Sequence, residues 1–230
     1  MAKISSISSI TESIRRRLFR WEDELFEKRH DLELSPVYPT DLVTDNADSS
    51  VHANACQAVW CRNLREIFTQ AGKADVVLKN FVDIGSGKGK ACLFAAQRMP
   101  FEKILGIELS KPLVAISNEN ARRFGRADIE FHHADARDFS LPEACNLVFL
   151  FNPFDEVILQ KFIENNLRHF QQQRSILAYA NDIHRDVISS AGFTLLFRNP
   201  VRCVSLYQWP VWKNKAQNPI KETGVVRTNT

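Results

Sequence analysis

The run Asp83-Ile84-Gly85-Ser86-Gly87-Lys88-Gly89-Lys90 has the residue types of a ligand-binding turn. Three glycines at alternate positions let the chain take positive φ and leave bare backbone for close approach. The apolar stretch Ala91-Cys92-Leu93-Phe94-Ala95-Ala96 follows at once, so the turn opens a helix whose first amides favour an anionic group. Spacing separates the ligands that use such turns. A P-loop needs four residues between its first Gly and Gly-Lys, then Ser or Thr for magnesium. This chain has three between Gly85 and Gly89-Lys90, followed by Ala91, so that reading fails twice. A dinucleotide fingerprint, G-x-G-x-x-G/A, would put Lys90 where a small residue is needed, which strains it without excluding it.

Further polar residues stand where predicted strands end. Glu108 closes Gly106-Ile107-Glu108, and a carboxylate there is suited to accept from both hydroxyls of a ribose. An acid about 20 residues beyond the loop is equally expected of NAD enzymes, so Glu108 indicates a nucleoside without choosing the cofactor. Asp135 and Ala136 close the next strand. The neighbouring His132-His133-x-Asp135 makes a poor metal site, because adjacent strand residues point to opposite faces. Asn152-Pro153-Phe154 ends a fourth apolar strand, where proline supplies no competing N–H and Phe154 offers a stacking or cation–π face.

The Asp-x-Gly-x-Gly-x-Gly pattern resembles the class I S-adenosylmethionine-dependent methyltransferases. The likeness implies S-adenosyl-L-methionine as cofactor. Asp83, Gly85, Ser86, Gly87 and Gly89 would lie beside its methionyl end, Glu108 and Leu109 at the ribose, and Asp135 and Ala136 at the adenine. Asn152-Pro153-Phe154 resembles the Asn/Asp-Pro-Pro-aromatic segment of methyltransferases acting on nitrogen, with one proline instead of two. That likeness gives Asn152, Pro153 and Phe154 catalytic roles and puts Asn152 beside the cofactor as well. The acceptor is then a protein lysine, an RNA base or a small amine, held by the Asn152 side-chain oxygen and carbonyl. Tyr38-Pro39-Thr40, ahead of the loop, is similar to a segment of the non-SET class I protein-lysine methyltransferases, and adds Tyr38 and Thr40 to the cofactor set. Lys88 and Lys90 depart from the small or acidic residues common in such loops. Cations at a helix start oppose its dipole by several tenths of a kcal/mol. As exposed lysines they need no use, although meeting an anionic substrate is one. An NAD-dependent oxidoreductase and a non-catalytic cofactor-binding module, with Arg15–Arg20 as a partner surface, are the alternatives.

These residues need a scaffold that brings strand ends together. Strands are predicted at residues 81–84, 104–107, 129–132, 147–151 and 176–179, with helices at 88–98, 111–124, 155–171 and 183–190. Strand–helix alternation with near-continuously apolar strands predicts an α/β fold, a doubly wound parallel sheet covered on both faces in three layers. Residues 193–197 and 203–209 are separated by a connection too short for a crossover helix. They predict a C-terminal antiparallel hairpin, the order of class I methyltransferases and not of a six-stranded parallel dinucleotide fold. Residues 1–31 read as a charged helix, and two prolines force 35–40 to be extended. A second helix is predicted over 51–71 from Cys56, Val59, Trp60, Leu64 and Phe68. The domain organisation is thus 1–50, an N-terminal helical and extended segment; 51–212, the methyltransferase-like domain; and 213–230, a polar, mobile tail.

With 230 residues, 44% hydrophobic content and 16 Phe, the chain can bury one core. A net charge of +3 is too small to argue for nucleic acid or an anionic membrane. Five cysteines with no C-x-x-C pair imply a reducing compartment, without disulfides or zinc. No apolar run reaches a membrane span, and no secretory h-region is present. The cytoplasm is the expected location. The Ser- and Arg-rich residues 1–21 also fit a transit peptide, although the acids Glu22, Asp23, Glu24 and Glu27 follow immediately.

Overall fold

The strand ends come together because five parallel strands share one sheet with their carboxyl ends on the same side. The computed structural model describes residue 17 and residues 19–37 and 51–210. Strands β1 (Asn80–Ile84), β2 (Lys103–Glu108), β3 (Glu130–His133), β4 (Asn146–Phe151) and β5 (Ile176–Ala180) run parallel, and β6 (Thr194–Asn199) and β7 (Val204–Gln208) form the antiparallel hairpin. The seven-stranded order is β3-β2-β1-β4-β5-β7-β6, with β7 antiparallel to β5. Connections leave β1 towards β2 on one side and reach β4 on the other. The switch point therefore lies between β1 and β4, where an open α/β sheet binds its ligand. This is the predicted fold class.

Both faces of the sheet are covered. Helix α1 spans residues 19–29; α2 is Cys61–Ala71, α3 Lys90–Arg98, α4 Lys111–Arg123, α5 Glu156–Gln172 and α6 Arg185–Ser190. Alternate strand residues face opposite layers. Phe81, Leu147 and Phe149 pack with α2 and α3, and Phe26 of α1 rests against the same layer. Val82, Ile84, Val148 and Leu150 pack with Ile158, Leu159, Phe162 and Ile163 of α5 and Ile188 of α6. Among the described residues, no helix is long and apolar enough to cross a membrane.

Two expectations are corrected. The helix predicted over 51–71 begins only at Cys61. Residues 52–56 are held extended by longer-range pairing: Val37 and Cys56 exchange backbone hydrogen bonds at 2.9 and 2.7 Å, Asn54 N donates to Pro153 O at 2.9 Å, and Asp155 N donates to His52 O at 3.1 Å. Cys56 and Val59 mimic a helical face but line a cavity. Lys88 and Lys90 are not exposed either. Their side chains are 6% and 4% accessible and ion-paired to acids of residues 23–33. Residues 1–16, with most of the targeting-like stretch, and the 213–230 tail lie outside the described residues.

The α5 face makes one half of the core, so Phe162→Ala, at a fully buried position, is expected to cost about 3–5 kcal/mol. Urea denaturation followed by far-UV circular dichroism measures it.

Candidate active site

Between β1 and α3 the chain turns through Gly85, Gly87 and Gly89 at φ +75°, +52° and +86°. Each is a conformation that glycine adopts without steric cost. All three also leave no room for a side chain because other elements press on them, the Phe131 ring on Gly89 at 2.7 Å from where its Cβ would stand. A Cβ on Gly85 would overlap the Pro153 ring, and one on Gly87 would stand 2.6 Å from Cys56 Sγ. The loop is thus wedged between the turn after β4 and the strap at 52–58.

The loop amides are already used. Gly85 N and Ser86 N donate to Ile107 O at 2.8 and 3.0 Å, Gly89 N donates to Ser86 O at 2.9 Å, and Gly87 N donates to Glu108 Oε2 at 2.8 Å. Glu108 Oε1 accepts from Ser110 N at 2.9 Å. Glu108 thereby ties the end of β2 to the glycine loop, a role the sequence does not announce. Ser86 Oγ is buried and has no hydrogen-bond partner among the described residues.

One cavity lies over the carboxyl ends of β1, β2 and β4. It is lined by Asp83, Gly85, Ser86, Gly87, Glu108, Leu109, Asp135, Ala136, Pro153 and Phe154, all singled out from sequence. Gly89 and Asn152 are not on its wall, and Tyr38 and Thr40 lie outside the described residues. Missed from sequence are Leu34 and Ser35, the strap Ala53–Val59, and the apolar Leu113, Phe151 and Ile158. The extended 35–40 stretch was the one signal that could have pointed to Ser35.

The electrostatics are acidic. Asp83 is buried, and its carboxyl is pushed up to about 8 by burial and then by Glu108, with the Cys92 thiol at 3.8 Å offsetting slightly. Burial also raises Glu108, against the lowering pull of the Ser110 and Gly87 amides. Asp135 is paired with Arg137, whose guanidinium lies 3.0 Å from Oδ2. Burial pushes the Cys56 thiol up to about 12, so it is a packing group and not a nucleophile.

Beyond β4, Asn152 sits at φ +43°. Its Oδ1 accepts from Tyr179 Oη at 2.7 Å, and its carbonyl accepts from Asn54 Nδ2 at 3.0 Å. The two oxygens expected to hold an acceptor amine therefore already carry protein donors. Asp155 caps α5 through Val157 N at 3.0 Å and Ile158 N at 3.3 Å, and its Oδ2 lies 2.5 Å from His52 Nδ1. His132 and His133 do not share a ligand: their Nε2 atoms meet Glu130 and the Leu109 carbonyl.

Residues 81–173 match a family model described as a methyltransferase domain. No curated protein sequence matches the chain significantly. Among solved structures it is similar to a ribosomal protein L11 methylase from Lactobacillus delbrueckii subsp. bulgaricus, at 15% identity and TM-score 0.50, over 65% of this chain and 80% of that one. It is also similar to TrmN from Thermus thermophilus (16%, TM-score 0.49, 65% and 48%). A third is an S-adenosylmethionine-dependent methyltransferase from Thiobacillus denitrificans, solved with S-adenosyl-L-homocysteine (16%, TM-score 0.39, 52% and 47%). The chain spans about half the length of the last two. The matched residues run from β1 to the end of α5 and contain the glycine loop, Glu108, Asp135 and Asn152-Pro153-Phe154. Residues 81–173 thus match a methyltransferase domain, and the seven-stranded sheet with its antiparallel hairpin is the class I methyltransferase fold, a class whose cofactor is S-adenosylmethionine.

The raised Asp83 sets a pH dependence. Folded Asp83 keeps a proton that the unfolded chain has released between its ordinary value of 3.8 and about 8. Its contribution to stability therefore falls as pH rises through that window and is flat above it. Asp83→Asn removes this contribution, so the variant should gain stability over wild type from about pH 5 to about pH 8. Urea midpoints of both proteins at the two pH values check the sign; an unchanging difference would contradict it.

Proposed function

We propose that the chain transfers the methyl group of S-adenosylmethionine to a nitrogen acceptor, with the cofactor in the cavity at the β1/β4 switch point. The observation that carries the reading is the convergence of Asp83, Glu108 and Asp135, from the ends of three adjacent strands, on one cavity floored by glycine backbone. These residues fit that cofactor. Buried carboxyls favour a cationic ligand, and the unpartnered Ser86 hydroxyl on the cavity wall is a polar group awaiting one. When bound, the cofactor supplies an activated methyl group, and the protein supplies binding, orientation and electrostatics.

Each residue then has a task. Glu108, anchored by two amides, keeps lone-pair capacity for ribose hydroxyls. Asp135 and Ala136 flank the adenine end, and Asp83 faces the methionyl ammonium. On the acceptor side, the Asn152 and Pro153 carbonyls accept from Asn54 Nδ2 and N. Each of these oxygens already holds one protein donor, so a target amine would take a second lone pair of the same carbonyls. Pro153 adds no competing donor. Phe154, buried at the wall, supplies an apolar face for the acceptor. Holding both reactants at attack distance is worth roughly 7–11 kcal/mol of barrier.

Two measurements test this. Calorimetry should detect S-adenosyl-L-homocysteine binding but none of NADH. Glu108→Ala should weaken the former about tenfold or more, because it removes charge-assisted bonds. Undiminished affinity in that variant would overturn the site map. Incubation with methyl-labelled cofactor and a lysate, with and without protease or nuclease, should transfer label to one macromolecular class or to small amines. Asn152→Ala should cut that transfer by about a hundredfold, and unchanged transfer would remove Asn152 from the reaction.

A further inference from the structure

Lys88 and Lys90 flank Gly89 at the point where the cofactor loop becomes α3. Both occupy positions where a cation opposes the helix dipole. Burial makes the arrangement costlier still unless each ammonium is paired. Lys88 Nζ donates to Glu33 Oε2 at 2.5 Å and Ser35 Oγ at 3.3 Å. Lys90 Nζ donates to Asp23 Oδ1 at 2.6 Å and Glu27 Oε1 at 3.2 Å. Two ammonium groups thus face three carboxylates, which leaves no positive surplus to attract an anionic substrate.

All three acids belong to α1 and the extended stretch after it, and other bonds lock that segment to the same corner. Asp23 Oδ1 also accepts from Cys61 N at 2.9 Å, at the start of α2. The Asn120 carboxamide accepts from Glu33 N at 2.9 Å and donates to Glu33 O at 3.0 Å and Lys88 O at 2.9 Å. It therefore grips the segment and the cofactor loop at once. Leu34 and Ser35, between these anchors and Val37, form part of the cavity wall. The acids lie outside the residues matched by the family model, whereas Lys88, Lys90 and Asn120 lie within them.

We infer that Asp23, Glu27 and Glu33 are positioning residues of the cofactor site: acting through Lys90 and Lys88, they fix the backbone of the glycine loop and the first turn of α3. Cofactor affinity then depends on carboxylates that do not touch the cofactor. The inference rests on the proposed cofactor site, and the experiment separates the two. S-adenosyl-L-homocysteine binding is measured by calorimetry, and melting temperature by circular dichroism, for wild type, Glu33→Gln, Lys88→Met, their double variant, Lys90→Met and Lys90→Arg. Glu33→Gln, Lys88→Met and Lys90→Met should each raise Kd about tenfold or more at a temperature where the variant is fully folded. The double variant should be no weaker than Lys88→Met, the non-additivity of a directly coupled pair. Lys90→Arg should bind within a few-fold of wild type. A purely structural role would lower the melting temperature and leave Kd within twofold, and that result would overturn the inference. If Lys90→Met does not fold, Glu33→Gln decides, because Glu33 is 43% exposed at its side chain. A wild-type protein that binds no S-adenosyl-L-homocysteine would instead remove the cofactor reading itself.

Discussion

The close approach of neighbouring side chains to bare backbone at the end of β1 is the constraint on which the site depends. Pro153 presses on Gly85, Cys56 on Gly87, and the Phe131 ring on both Gly89 and Gly106. Three separate elements, the turn after β4, the strap and strand β3, thereby close on one loop. Positive φ alone explains why glycine is tolerated at these positions. The contacts explain why larger residues are excluded even where the backbone would bend. The cavity walls keep their spacing because the loop between them has no side chains to hold them apart.

That constraint has an electrostatic counterpart. The corner buries acids and bases together but does not pair them at random. Lys88 and Lys90 line the cavity too, but their ammonium groups are paired with acids of the N-terminal segment, while Asp83 and Glu108 have no cationic partner of that kind among the described residues. At Lys90 burial opposes the charge, but Asp23, Cys61 and Glu27 together push the ammonium above its ordinary range, whereas Asp83, whose hydrogen-bond partner is the Cys92 thiol, is pushed by burial towards its neutral form. A cationic ligand entering the cavity would restore the balance that burial has taken from Asp83 and Glu108.

Much of this was legible in the chain itself. Short, mostly apolar runs of four or five residues located every strand of the parallel sheet, and the first two run directly into Gly85 and Glu108. The short link between residues 197 and 203 gave the hairpin. Ten of the singled-out positions share one cavity, because each was chosen at a strand end and a parallel sheet gathers those ends on one side. What could not be read were pairings between residues remote in sequence. Lys88 meets Glu33 across 55 residues, Lys90 meets Asp23 across 67, and Asn54 meets Asn152 across 98. Local patterning carries no trace of such partners. A lysine beside a glycine loop therefore reads as exposed, and Cys56 and Val59 read as a helix face although main-chain bonds hold their segment extended.

The strap makes the glycine loop and the turn after β4 parts of one structure. Within five residues, His52 and Asn54 bond to the turn after β4, while Cys56 covers Gly87 and pairs with Val37. Val37 follows directly on the stretch that Glu33 and Asn120 anchor to Lys88. A continuous series of hydrogen bonds therefore runs from α1, through the glycine loop and the strap, to Asn152 and Pro153. The N-terminal residues belong to the wall of the site as much as the sheet does. Contacts between residues 55 to 103 positions apart thus converge on the wall of the cavity, and local helix or strand propensity contributes little there. Each end of the series is fixed by polar groups with defined partners, so the relative placement of the loop and the turn after β4 is set by bond geometry and not by apolar packing alone.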